Sequence, residues 1–273
     1  MKIISANKVK DTISRLSIRA NQVLRSDVYQ SLKEACKRES NKKIKAALEA
    51  IIKNAEVALR EKLAICQDTG LPVVFLEIGQ EVKITGDLKS AINKGVELGY
   101  RKGSFRNSVI SDPLQRGKPG YQPVIVHTDI VRGNRLKIAV LPKGFGCENK
   151  SQLRMFNPTV KIDEIKKFIV EAVKRSGADA CPPYVVGVGI GGTADYAGIL
   201  AKKALLKKVG GKSGKLEKDL LKEINSLNIG PMGLGGKATC LGVNIETHPT
   251  HIAGMPVAVN ISCHALRSAK AVL

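Results

Sequence analysis

Residues 64–74, AICQDTGLPVV, set a thiol, a carboxamide and a carboxylate side by side at Cys66, Gln67 and Asp68. A turn needs only Asp68, Thr69 and Gly70, whose side chains and flexible backbone suit one. The thiol therefore raises the question of chemistry. It can serve as a small buried hydrophobe, as a nucleophile once ionised, or as a soft metal ligand. Arg106, in the polar stretch SFRNS, is either a surface arginine or a clamp for a carboxylate, which the planar guanidinium suits. His248 and His251 stand three apart in THPTHIAG, and His264 follows Cys263 directly. Pro249 and Gly254 argue for a loop there, so hydrogen bonding is the plainer role for these histidines.

The segment GVGIGG, 187–192, has the spacing G-x-G-x-x-G between a strand and a helix. A dinucleotide site also asks for an acid about twenty residues later, and here the chain reads KKVGGKSGK. Tight strand-to-helix packing, or a site for an anion smaller than a dinucleotide, fits better. A nucleotide-binding oxidoreductase would rest on Gly187, Gly189 and Gly192.

These residues need elements to hold them. Residues 8–38 read as polar, amphipathic helices. Over 44–63, Ile44, Leu48, Ile51, Ala55, Leu59 and Leu63 recur at helical steps, which delivers Cys66 to a helix C-terminus. LPVVFLEIG follows as a strand, then a helix around 87–101, then a loop over 103–121 that carries Arg106. PVIVHTDIV and RLKIAVLP flank an Arg-Gly-Asn turn and are expected to pair as a hairpin. A helix over 162–175 has Asp163 and Glu164 in its first turn and Gly177 beyond its end. YVVGVGI is a buried strand, and Gly191-Gly192-Thr193 opens a helix to about Lys208. A short helix near 216–227, strands at about 239–246 and 256–262, and a last helix from 264 complete the chain. The expected fold is mixed α/β (α+β): one globular unit over 1–273, a small mainly antiparallel or mixed sheet flanked by helices, and a helical N-terminal lobe over about 1–65.

With 273 residues, 43% of them hydrophobic, the chain can bury a substantial core. No run approaches the ~20 apolar residues of a membrane span. The N-terminal MKIISANKVKDTISRL is charged throughout and is no secretory signal. A cytoplasmic protein with no membrane partner is expected. The six cysteines, 36, 66, 147, 181, 240 and 263, form no CxxC pair, which argues against zinc ribbons and thioredoxin-like sites. A reducing compartment leaves them as thiols or ligands. The net charge of +21 permits a nucleic-acid partner, yet the lysines are spread widely and aromatics are only 4%. No helix-turn-helix, finger or stacking motif accompanies the charge. Solvated basic faces, suited to an anionic substrate, are the better reading, with no nucleic-acid partner.

Six blocks then stand in order: AICQDTG, SFRNSVISDPL, LPKGFGCENKS, ACPPYVVGVGIGGTAD, LNIGPMGLGGKATCLGV and HPTHIAGMPVAVNISCHALR. Together they resemble the iron–sulfur-dependent hydro-lyases, the class I fumarases and the related L(+)-tartrate dehydratases, from about Asn54 onward. The match is to the N-terminal catalytic domain of single-chain members and to the α subunit of two-subunit members. The resemblance implies a [4Fe–4S] cluster on Cys66, Cys181 and Cys263, separated by 115 and 82 residues, a spacing that does not itself reveal a cluster. Cys36, Cys147 and Cys240 are left as ordinary thiols. In the segment Gly144-Phe145-Gly146-Cys147 the chain departs from the family's triple glycine and serine, which puts a fourth thiol near the site.

What the resemblance implies for chemistry follows from three ligands on four irons, which leave one iron open as a Lewis acid. It places a dicarboxylate among Gln67, Asp68, Arg106, the Gly146 backbone and His251. Arg106 clamps a carboxylate, Gln67 and Gly146 orient it, and Asp68 and His251 manage the hydroxyl side as the catalytic pair. The implied reaction is the reversible hydration of fumarate to L-malate, with dehydration of L(+)-tartrate as the alternative on the same α-chain blocks. The implied partner is a β subunit carrying the C-terminal catalytic domain and the base for the carbon proton, in an α2β2 assembly.

Overall fold

A computed structural model describes residues 1–273. The chain runs through Lys2–Ser5 (β1), Ala6–Gln22 (α1), Ser26–Arg38 (α2), Lys42–Glu61 (α3), Leu71–Gly79 (β2) and Val82–Thr85 (β3). Leu88–Lys102 (α4), Ile125–Val131 (β4), Leu136–Lys143 (β5), Phe145–Glu148 (α5), Gln152–Phe156 (β6) and Ile162–Ser176 (α6) follow. Tyr184–Gly192 (β7), Ala194–Leu205 (α7), Lys215–Ser226 (α8), Cys240–Thr250 (β8), Met255–Ser262 (β9) and Ala269–Val272 (β10) complete it. The expected mixed α/β architecture with small mixed sheets is what forms, without a barrel. Contacts group it into two compact units: Met1–Arg25, Ala55–Phe145 and Arg267–Leu273 in the first, Ser26–Asn54 and Gly146–Leu266 in the second. Of the N-terminal helices, α1 belongs to the first and α2 to the second. No helix is long and apolar enough to cross a membrane.

The first unit is built on a four-stranded sheet in the order β10-β5-β2-β4, with β1 and β3 pairing in parallel beside it. Helices α1 and α4 pack together over a core that includes Val9, Ile13, Val74, Leu76, Val96, Ile138 and Val140. The expected hairpin does not form. β4 and β5 lie on either side of β2, so that Leu76 faces Thr128 in parallel register and Ile138 in antiparallel register. The reason lies in the strands. β2 is an almost continuous buried apolar run, which wants a neighbour on each edge, while β4 is exposed at alternate positions like an edge strand. The end of β2 fills the opening of the Arg132–Arg135 turn: Gly79 and Gln80 donate backbone bonds to Arg135 and Val131 at 2.9 Å. The expected last helix is also absent. Residues 269–272 pair with β5, Ala269 opposite Val140, because so short a tail cannot sustain a helix alone, whatever its propensity, while pairing satisfies its backbone at that sheet edge.

In the second unit the order is β6-β9-β7-β8, with β7 and β8 parallel and the other pairs antiparallel. The chain crosses from β7 to β8 through α7 and α8. The β7–α7 contact explains the glycine motif: a Cβ on Gly187 or Gly189 would collide with the carbonyl oxygens of Ala201 or Ala197. These glycines let a helix lie directly on a strand. β8 runs on to Thr250, so His248 stands in a strand and only His251 in the turn after it. Short strands β1, β3 and β6 had no expectation behind them.

Candidate active site

The turn that carries Cys66 is tied down within the first unit from several sides. The Ile65 amide donates to the carbonyl of Asn21 at 2.9 Å. Asp68 takes one backbone amide on each oxygen: Gly70 on Oδ1 at 3.0 Å and Phe145, just past β5, on Oδ2 at 2.8 Å. The first bond is the local turn any Asp favours; the second joins residues 77 apart in sequence. The hydroxyl of Thr69 donates to the Arg106 carbonyl at 3.1 Å, and the Arg106 guanidinium donates to Gln67 Oε1 at 3.1 Å. Underneath, the buried Tyr100 hydroxyl donates to the Thr69 carbonyl at 2.8 Å; burial pushes that phenol up to about 12. The structure thus brings Gln67, Asp68 and Arg106 together, with Arg106 exposed and Cys66 half-buried beside them.

One further residue belongs to this group. Arg267 is only 3% exposed, and one terminal nitrogen donates to Asn21 Oδ1 at 3.2 Å. Its other terminal nitrogen lies 3.4 Å from the point where a Cβ on Gly144 would stand, and Asp68 Oδ2 lies 3.2 Å from that same point. A buried cation and the carboxylate therefore flank Gly144, and any larger residue there would compete with both for space. Sequence reading missed Arg267, because a lone arginine in HALRSAKAVL looks like a surface residue.

In the second unit, Cys181 precedes β7 and Cys263 follows β9. These strands are antiparallel neighbours, with Val185 opposite Ser262, so the two cysteines stand at the same end of the sheet. The backbone links them directly: the His264 amide donates to the Cys181 carbonyl at 3.3 Å. Cys147 is buried in the core at this same end, its thiol donating to the carbonyl of Ala180, the residue before Cys181, at 3.4 Å. Gly146, exposed, sits just before it. His251 is not with them. It lies in the turn before β9 and Cys263 lies after it, so the eight residues of that strand separate the two, roughly 26 Å at the usual rise. There His251 lines a cavity of about 430 Å³ with Thr193, Tyr196 and His248. Its Nδ1 accepts from the Ala253 amide at 3.1 Å. The expected grouping of His251 with the ligand cysteines is therefore not formed within this unit, because an extended strand stands between them.

The thiols divide by burial. Cys36, Cys147 and Cys240 are buried, while Cys66, Cys181 and Cys263 are half-buried, and none is in a disulfide. The second set comprises the three cysteines that the resemblance assigns to a cluster, and thiolates are the donors such a cluster takes. The family model for fumarate hydratase (fumerase) matches residues 10–272. The chain belongs to the fumarate hydratase family. Among its relatives is a Methanocaldococcus jannaschii protein, 40% identical across 96% of both chains, provisionally named L(+)-tartrate dehydratase subunit alpha. The L(+)-tartrate dehydratase subunit alpha of Escherichia coli K12 is 29% identical over 96% of this chain and 90% of its own. The family is one of hydro-lyases, and these relatives are named as α subunits.

Proposed function

We propose that the chain is the α subunit of an iron–sulfur hydro-lyase that dehydrates L(+)-tartrate. The observation that carries the choice of substrate is the near-complete alignment with proteins named for L(+)-tartrate dehydratase, 96% of the chain in each case. This favours tartrate over the fumarate–malate pair. Fumarate hydration is the second reading, and the name of the matching family model supports it.

Cys66, Cys181 and Cys263 would hold a [4Fe–4S] cluster, which supplies one iron open to substrate as a Lewis acid. The remaining work falls to side chains of this protein. Arg106, exposed and already oriented by Gln67, offers two parallel donors to a substrate carboxylate. Gln67 and the Gly146 backbone orient that carboxylate. Asp68, with both oxygens fixed by amides, is pre-set to accept a hydrogen bond from a substrate hydroxyl without reorganising. His251 is given no part in this reading, since its strand carries it away from Cys263. The proton on the carbon next to the departing hydroxyl needs a base, and we assign that base to a β subunit in an α2β2 assembly, in keeping with the relatives' names.

Turnover decides between the readings. The chain, anaerobically reconstituted with its β partner, should show a higher kcat/KM for L(+)-tartrate than for malate. A site that pairs the second hydroxyl leaves polar groups unpaired with malate. The chain alone should turn over neither. A preference for malate would move the assignment to fumarate hydratase, and full turnover without a partner would return the search for a base to this chain.

A further inference from the structure

Cys181 holds a backbone conformation that side chains disfavour. Its φ is 56°, in the left-handed region, although it is not a glycine. Such a conformation is unfavourable for a residue with a Cβ and persists only where its surroundings impose it. The surroundings are specific. The Cys181 amide donates to the Ala178 carbonyl at 3.1 Å, closing a tight turn after α6. Its carbonyl oxygen then meets two nitrogens of one residue: the His264 amide at 3.3 Å and the His264 ring Nδ1 at 3.0 Å. A carbonyl only accepts, so Nδ1 carries the proton in this arrangement, and both lone pairs of the oxygen are engaged. His264 is partly buried and adjoins Cys263.

We propose that His264 is a positioning residue. It clamps the Cys181 carbonyl and so fixes the thiols of Cys181 and Cys263 relative to one another before anything binds them. The backbone bond alone is one hinge between the two loops. The ring bond adds a second point of attachment to the same oxygen and resists rotation of the Cys181 peptide out of its disfavoured conformation. The proposal deepens the cluster reading and rests on it for the ligand role of the two thiols. The clamp itself rests only on the hydrogen bonds.

Three substitutions test it, because bond count separates a specific donor from mere bulk. In His264→Asn the amide nitrogen hangs from Cγ as Nδ1 does, so it can reach the same oxygen. In His264→Gln it lies one bond further out, and His264→Ala has no donor. Two measurements on the full-length chain are needed: release of iron and sulfide to a chelator after anaerobic reconstitution, and amide hydrogen exchange of the 178–184 and 262–266 segments without the cluster. Loss of an outer partner commonly weakens a metal site about 10–100-fold. We expect release roughly 10-fold faster or more in the Ala and Gln variants. Exchange should also be faster in both segments, while the Asn variant stays close to the native chain. Equal release from all four loaded proteins, with equal exchange in all four cluster-free ones, would overturn the clamp. A native chain that takes up no iron and sulfide would instead overturn the ligand half, together with the reading it rests on. The exchange pattern would still report separately on the clamp.

Discussion

Cys240 lies in the core of the second unit with its thiol turned to the Gly242 carbonyl at 3.2 Å, and burial pushes it up to about 12. Burial raises Cys36 as well. Since the thiolate is the reactive form, neither should react while the protein is folded. Cys147, buried against Ala180, should be shielded in the same way. Iodoacetamide added to the folded, cluster-free chain should therefore label Cys66, Cys181 and Cys263 and spare the other three until denaturant is added. Peptide mass spectrometry reads this directly, and labelling of Cys240 as fast as Cys263 would contradict the division. At this scale the sequence was legible where residues sit in contiguous blocks: Gln67 and Asp68 beside Cys66, and Arg106 from its own block. Arg267 was not legible. Its burial depends on Asn21, 246 positions away, and on the space left by Gly144, and neither can be seen along the chain. The separation of His251 from Cys263 was also hidden, because a block of 20 residues does not show that a full strand runs through its middle.

At the scale of elements, periodicity located nearly every long helix and strand, whereas pairing partners were misread. A local signal, two strands and a short turn, suggested a hairpin between β4 and β5. The stronger demand came from β2, whose apolar run buries both faces and takes both neighbours. The glycines of GVGIGG show the reverse case, where weighing a motif against its missing acid led to packing. Gly189→Ala tests that packing. Its methyl would meet the Ala197 carbonyl on a helix that cannot retreat without leaving β7. Overpacking of this kind costs about 1–3 kcal/mol, to be read as a lower urea midpoint, with no change in binding of any nucleotide. An unchanged midpoint would show that α7 does not lie as close on β7 as described.

For the whole molecule, composition set limits but could not name a substrate. The charge of +21 with few aromatics left only a general affinity for anions. The hydro-lyase assignment came from six ordered blocks and from a family match over residues 10–272. The proposed chemistry requires that this chain assemble an iron–sulfur cluster on the three half-buried thiols. The direct measurement is iron and acid-labile sulfide per chain after anaerobic reconstitution of the native, Cys263→Ser and Cys36→Ser proteins. The native and Cys36→Ser chains should hold iron and sulfide in equal amounts, and the Cys263→Ser chain should hold little of either. A native chain without sulfide, or a Cys36→Ser chain as empty as Cys263→Ser, would contradict it.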